Sequence, residues 1–93
     1  MSERAVHVSI TGLVQGVGFR AWVEREAMAR GLSGWVRNRR DGSVEAVFAG
    51  EDGIVDQMLS ACRNGPRMAE VHDVIISEAA EPAGQGFQVL HTT

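Results

Sequence analysis

An α+β sandwich, a mostly antiparallel sheet with two helices on one face, is the fold class that this 93-residue sequence predicts. Three observations predict it. Short runs alternate apolar and polar residues, as strands with one buried face do. Two stretches repeat their apolar residues at helical spacing. The segments follow the order β-α-β-β-α-β with a short C-terminal strand, which is the ferredoxin-like arrangement. One domain over residues 1–93 is expected at this length, burying somewhat over ~60% of its unfolded surface.

Val6, Val8 and Ile10 alternate with His7, Ser9 and Thr11, so residues 5–12 are expected as the first strand. A glycine-rich connection, Gly12 to Gly18, leads into a helix that begins at Phe19 or Arg20 and runs to Arg30. Phe19, Val23 and Ala27 form its apolar stripe, flanked by Trp22 and Met28, and Gly31 stops it. Residues 35–40 and 43–49 are two extended runs separated by Asp41-Gly42. That pair predicts a hairpin with a type I′ turn, which needs positive φ at both central residues. Residues 52–63 form the clearest helix, with Ile54, Val55, Met58, Leu59 and Cys62 on one stripe and Glu51 and Asp52 at its positive end. Asn64-Gly65-Pro66 ends it. Residues 67–78 read as a strand with imperfect alternation, bulged between Val71 and Val74. Glu81-Pro82-Ala83-Gly84 is a loop, and Phe87 and Val89 mark the short last strand.

Composition narrows the function. No apolar run approaches the ~20 residues of a membrane-spanning helix. Met1-Ser2-Glu3-Arg4-Ala5 runs straight into the first strand, so no signal peptide is expected and a cytoplasmic location follows. Cys62 is alone, so no intramolecular disulfide is possible and no thiolate metal site suggests itself. The net charge is −3, but it is unevenly spread. Residues 1–40 hold seven Arg and three Glu, a balance of +4, whereas residues 41–93 hold two Arg and nine acidic residues, a balance of −7. An acidic chain without Tyr and with three Phe lacks both the basic face and the stacking platform of a nucleic-acid binder. A small anion suits the positive first half better.

Gln15-Gly16-Val17-Gly18-Phe19-Arg20 lies between a strand and a helix. Glycines there let successive N–H groups converge on an anion, and the helix adds the positive end of its dipole. Arg20 adds a planar guanidinium that can grip two phosphate oxygens at once. The same residues also suit a plain tight connection with Arg20 in solvent, and the two readings weigh about evenly. Gly16 to Ala21 also fits the dinucleotide fingerprint G-x-G-x-x-A, with Asp41 ~20 residues further on. Asp41 sits in a hairpin turn, however, the next strand returns directly, and the chain is short for a cofactor plus a substrate site. Asn38, near the end of the second extended run, can orient a water through a neutral amide, or help form the adjacent turn. His7, His72 and His91 share no metal-ligand spacing. Cys62 reads as a small core residue, and Trp22 and Trp35 as core between sheet and helices. Arg37, Arg39 and Arg40 read as a solvated hairpin face.

Taken together, these residues change the balance, because the chain resembles the acylphosphatase family over nearly its whole length. The resemblance is carried by Gly12-Leu13-Val14-Gln15-Gly16-Val17-Gly18-Phe19-Arg20, then by Gly31-Leu32-Ser33-Gly34-Trp35-Val36-Arg37-Asn38 and Asp41-Gly42-Ser43-Val44-Glu45. Gly65-Pro66 with Ala69 and Val71, and Gly86-Phe87, match later parts of the pattern. It implies the ferredoxin-like fold and hydrolysis of the carboxyl–phosphate bond of acyl phosphates. It implies that Arg20 and the backbone amides of residues 15–20 (Gln15, Gly16, Val17, Gly18, Phe19 and Arg20) bind the phosphoryl group, and that Asn38 positions the attacking water. No metal and no cofactor are expected, and a monomer acting on a small-molecule acyl phosphate is the simplest form. The end, Val89-Leu90-His91-Thr92-Thr93, lacks the basic or tyrosine ending of many relatives, which bears on stability or strand pairing rather than on activity. The alternative is a non-catalytic module of the same type that binds phosphate or carbamoyl phosphate within a larger assembly.

Overall fold

A computed structural model describes residues 3–82 and 84–93. Met1, Ser2 and Ala83 lie outside the described residues, so the expected loop at 81–84 is described without Ala83. The elements are β1 (Glu3–Leu13), α1 (Phe19–Ala29), β2 (Ser33–Asn38), β3 (Val44–Glu51), α2 (Asp52–Asn64), β4 (Glu70–Glu78) and β5 (Phe87–Val89). They build one five-stranded sheet in the order β4-β1-β3-β2-β5. Its pairings are antiparallel except for β2 with β5. Both helices pack on one face, as the ferredoxin-like pattern predicts.

The alternation in the sequence determines which face is buried. Val6, Val8 and Ile10 of β1 stand opposite Phe48, Ala46 and Val44 of β3, and all six are fully buried under the helices. Val36 of β2 and Val74 of β4 extend this layer sideways. From the helices come Phe19, Val23 and Ala27 of α1 and Val55, Met58, Leu59 and Cys62 of α2. Helix α1 ends as predicted at Gly31, whose N–H bonds to the Met28 carbonyl while the Leu32 N–H reaches back to that of Ala27. The bulge expected in β4 falls at His72, because Thr11 pairs with Asp73 and Gly12 already with Val71.

Two expectations about the hairpin need correction. The second strand spans Ser33–Asn38 rather than 35–40, because Arg39 and Arg40 enter the turn. The turn is also not type I′. Gly42 has φ of 97°, but no residue other than glycine has positive φ, so Asp41 does not. Gly42 N–H bonds to Arg39 O and Arg39 N–H to Ser43 O, the pattern of a three-residue loop closed by glycine. Asp41 instead caps the loop through its carboxylate, which accepts from the Ser43 N–H and hydroxyl. These bonds hold its pKa below the usual range.

Trp35 does not join the core between sheet and helices. It belongs to the other face of the sheet, where the Arg37 guanidinium lies 4.8 Å above its ring. Nor are Arg37 and Arg39 a merely solvated face. Both donate to Oε1 of Glu45, at 2.6 and 3.3 Å, while His7 Nε2 meets Oε2. Glu45 is almost completely buried by this cluster. Burial, the largest influence, pushes its carboxyl pKa up, but the bonds and charges of His7 and Arg37 outweigh it and leave the pKa below the usual value.

A carboxylate with a depressed native pKa adds stability above its unfolded value of ~4.3, and loses it as pH falls through the native value. Urea unfolding between pH 7 and pH 3 therefore shows a stability loss below about pH 4 that Glu45→Gln flattens. An identical acid slope in the variant would remove Glu45 from that account.

Candidate active site

Residues 14–18 connect β1 to α1, and both ends of this connection are anchored in the core. Val14 and Phe19 are buried, and Val17 packs against the same cluster. Between these anchors Gly16 and Gly18 each take φ of 76°. A Cβ at either would meet nothing within 4 Å, so glycine is required there by conformation and not by space. Gly18 is also the N-cap of α1, and it can offer no side chain to the free N–H groups of the first turn. No acidic residue stands in that turn. Helix α2, by contrast, carries Asp52 in its first turn. Among the described residues, the N–H groups of Gly16, Val17 and Gly18 have no protein acceptor. The positive end of α1 therefore has no protein anion against it among the described residues.

A second anchor joins this loop to the hairpin. The Gln15 side chain inserts between the ends of β2 and β3, where its Nε2 donates to the carbonyls of Arg39 at 2.7 Å and Ser43 at 2.8 Å. Gln15 thus holds the loop with its side chain, and only its main chain is left for a ligand. Asn38, the residue before Arg39, ends β2 on the helix side of the sheet, opposite Val44. The segment after β5 continues along the edge of β2: Leu90 N–H bonds to Val36 O, Thr93 N–H to Asn38 O, and Arg40 N–H to Thr93 O. The Asn38 main chain is thereby fixed from both sides.

These anchors place Arg20 and Asn38, eighteen positions apart in sequence, on one cavity of about 480 Å³. Gln15, Gly16, Gly18 and Phe19 line it as well. Val17 does not, because it is packed against the core, so its N–H is the part of it that bears on the loop. Arg20 takes part in no ion pair among the described residues, unlike Arg4, Arg30, Arg37 and Arg39. Asn38 Oδ1 is buried without a donor, which leaves one end of its amide unsatisfied. Such an orphan costs ~1–3 kcal/mol and marks a group that a ligand or water can relieve.

The remaining walls, Val14, Ala21, Glu24 and Val89, are not among the site residues expected from the sequence. For Glu24 a signal existed, since it follows Arg20 by one helical turn and so shares its face. The histidines do not reach the cavity, and His7 belongs to the Glu45 cluster on the opposite face. Burial pushes the Cys62 thiol up to about 12, which removes it as a nucleophile at neutral pH.

The acylphosphatase family model matches residues 6–89. An acylphosphatase of Rhodopseudomonas palustris is 50% identical over 98 residues, covering 99% of each chain. The structure of an acylphosphatase from Coxiella burnetii superposes with a TM-score of 0.90 at 35% identity, covering 95% of this chain and 93% of that one. The crystal structure of acylphosphatase from Bacillus subtilis gives 0.88 at 34% identity, covering 96% and 99%.

The Gln15 anchor can be tested directly. Gln15→Glu exchanges two donors for a carboxylate facing two carbonyl oxygens, so it is expected to destabilise the fold by about 2–3 kcal/mol in urea titrations, and Gln15→Ala by about 1–2 kcal/mol. Equal stability of Gln15→Glu and the parent would show that the two bonds do not form.

Proposed function

The chain belongs to the acylphosphatase family and hydrolyses acyl phosphates to a carboxylate and inorganic phosphate, and from this premise we propose that Arg20 and the loop 15–20 hold the phosphoryl group while Asn38 positions the water. The observation that carries the assignment of roles is the convergence of an unpaired guanidinium, a bare helix N-terminus and an unsatisfied Asn amide on one cavity. No other part of the described chain combines an uncompensated positive end with a free neutral amide.

The chemistry asks little more. Attack of the water oxygen forms a new P–O bond as the P–O bond to the carboxyl group breaks. The electron pair leaves with the carboxylate, a weak base of ordinary pKa near ~4, so no acid is needed to expel it. The proton of the water passes to the phosphate product or to solvent. Charge spreads over the three equatorial phosphoryl oxygens during transfer, and these are the atoms that Arg20 and the loop amides meet. Their dipoles are already oriented, so no reorganisation is required as charge develops. Rotation of the Asn38 amide about χ2 turns Oδ1 to the cavity, where it accepts from the attacking water and loses its unsatisfied state. The guanidinium supplies the positive charge that a metal would otherwise bring. A cytoplasmic monomer acting on a small acyl phosphate is the form we propose.

Benzoyl phosphate turnover by the purified protein tests this reading, and a chelator should leave the rate unchanged. Arg20→Lys keeps the charge but loses the planar fork, and is expected to lower kcat/KM by ~10²–10³. Asn38→Ala should reduce kcat by ~10² while inorganic phosphate still inhibits with near-parent affinity. Full activity in Arg20→Lys would defeat the bidentate argument. Saturable phosphate binding without any hydrolysis by the parent protein would favour a binding module instead.

A further inference from the structure

The roles above use one end of the cavity. A phosphoryl group held by the loop and Arg20, with a water at Asn38, assigns no role to the walls Ala21, Glu24 and Val89. At about 480 Å³ the cavity has the size of a small-molecule site and exceeds what a phosphate ion fills. An acyl group that stays within the cavity lies along these walls. Two are apolar and short, and the third is a carboxylate.

Among the described residues Glu24 takes part in no ion pair. On the same helix Glu26 and Arg30, at i,i+4 with the acid first, pair at 2.8 Å. Arg20 and Glu24 have the same spacing in the reverse order, which is the weaker orientation, and no ion pair joins them among those of the described residues. One helical face thus presents a free positive charge at the loop end of the cavity and a free negative charge one turn further along. That polarity matches a substrate with an anionic phosphoryl end and an acyl end that carries no negative charge.

We propose that Glu24 selects the acyl group by charge, so that the site prefers acyl phosphates with a neutral or cationic acyl part and disfavours those whose acyl part bears a second anion. This rests on the acyl-phosphate reading above. Glu24 is a specificity residue here and takes no part in bond making. Two charges about 8 Å apart correspond to about twofold in rate at the dielectric of water and about thirtyfold at that of a protein surface, and salt screening brings this to a few-fold up to tenfold.

Three rings of similar shape test the proposal: benzoyl phosphate, 4-carboxybenzoyl phosphate and 4-(trimethylammonio)benzoyl phosphate. In the parent protein kcat/KM should rank cationic over neutral over anionic. Glu24→Gln should raise the anionic-to-neutral ratio by about three- to tenfold, Glu24→Lys should reverse the order, and Glu24→Asp should keep it. Raising the salt concentration to 0.5 M should compress the parent ratios and leave those of Glu24→Gln nearly constant. Using ratios cancels any general effect of the substitution on phosphate binding. Unchanged ratios in Glu24→Gln, or an equal loss on all three rings as a general base would give, would overturn the proposal. Failure of the parent protein to hydrolyse benzoyl phosphate would overturn the acyl-phosphate reading and this inference with it.

Discussion

The site depends on one carboxamide. Strands β1 and β2 are not neighbours, because β3 lies between them. The loop that follows β1 and the residue that ends β2 therefore have no ladder bonds to set their separation. Gln15 supplies the missing connection, donating both protons of its side-chain nitrogen to carbonyls at the two strand ends of the hairpin. Each bond is worth only ~0.5–1.5 kcal/mol net. Its effect on geometry is larger than its energy, since the distance between Arg20 and Asn38 is set through it. The sheet order then places that junction beneath the start of α1, where free N–H groups are concentrated.

Helix α1 shows what the site costs in local stability. A helix normally satisfies its first N–H groups with a side-chain cap or an acidic first turn, gaining ~1 kcal/mol. Here the cap is a left-handed glycine, and the first turn carries an arginine where dipole considerations favour an acid. Buried Phe19 and the Schellman-type ending at Gly31 hold the helix in place despite this start. An oxyanion binding here meets dipoles that no protein group has neutralised. On the proposed roles, function and local stability oppose each other in the same six residues, as is common where a site departs from the rules of foldability.

The elements were legible in the sequence because their periodicities are set by backbone geometry alone. The loop was legible because left-handed conformations demand glycine. What stayed hidden depends on partners distant in the chain. Alternation places Trp35 and Val36 on opposite faces but does not say which face the helices cover, so Trp35 was misplaced. Asp41-Gly42 announced a reversal, yet the loop length depends on pairing Arg39 with Ser43, which a dipeptide cannot specify. The Arg37–Glu45–His7 cluster joins three strands and has no local pattern. Gln15 was legible as part of a motif, but the division of labour between its main chain and its side chain was not.

That division extends to the whole cavity. On the proposed roles, the phosphoryl end is built mainly from main-chain groups, whose positions follow from two glycine dihedrals and a helix terminus. Backbone donors cannot be changed by single substitutions without moving the chain, so this end is chemically fixed. The proposed acyl end is lined by Ala21, Glu24 and Val89, on a helix and a three-residue edge strand. Substitutions there leave the core intact, since none of the three belongs to it. The reaction type is therefore set by the part of the site the fold constrains most tightly. On the same reading the choice of acyl group falls to the part it constrains least, where Glu24 supplies a carboxylate.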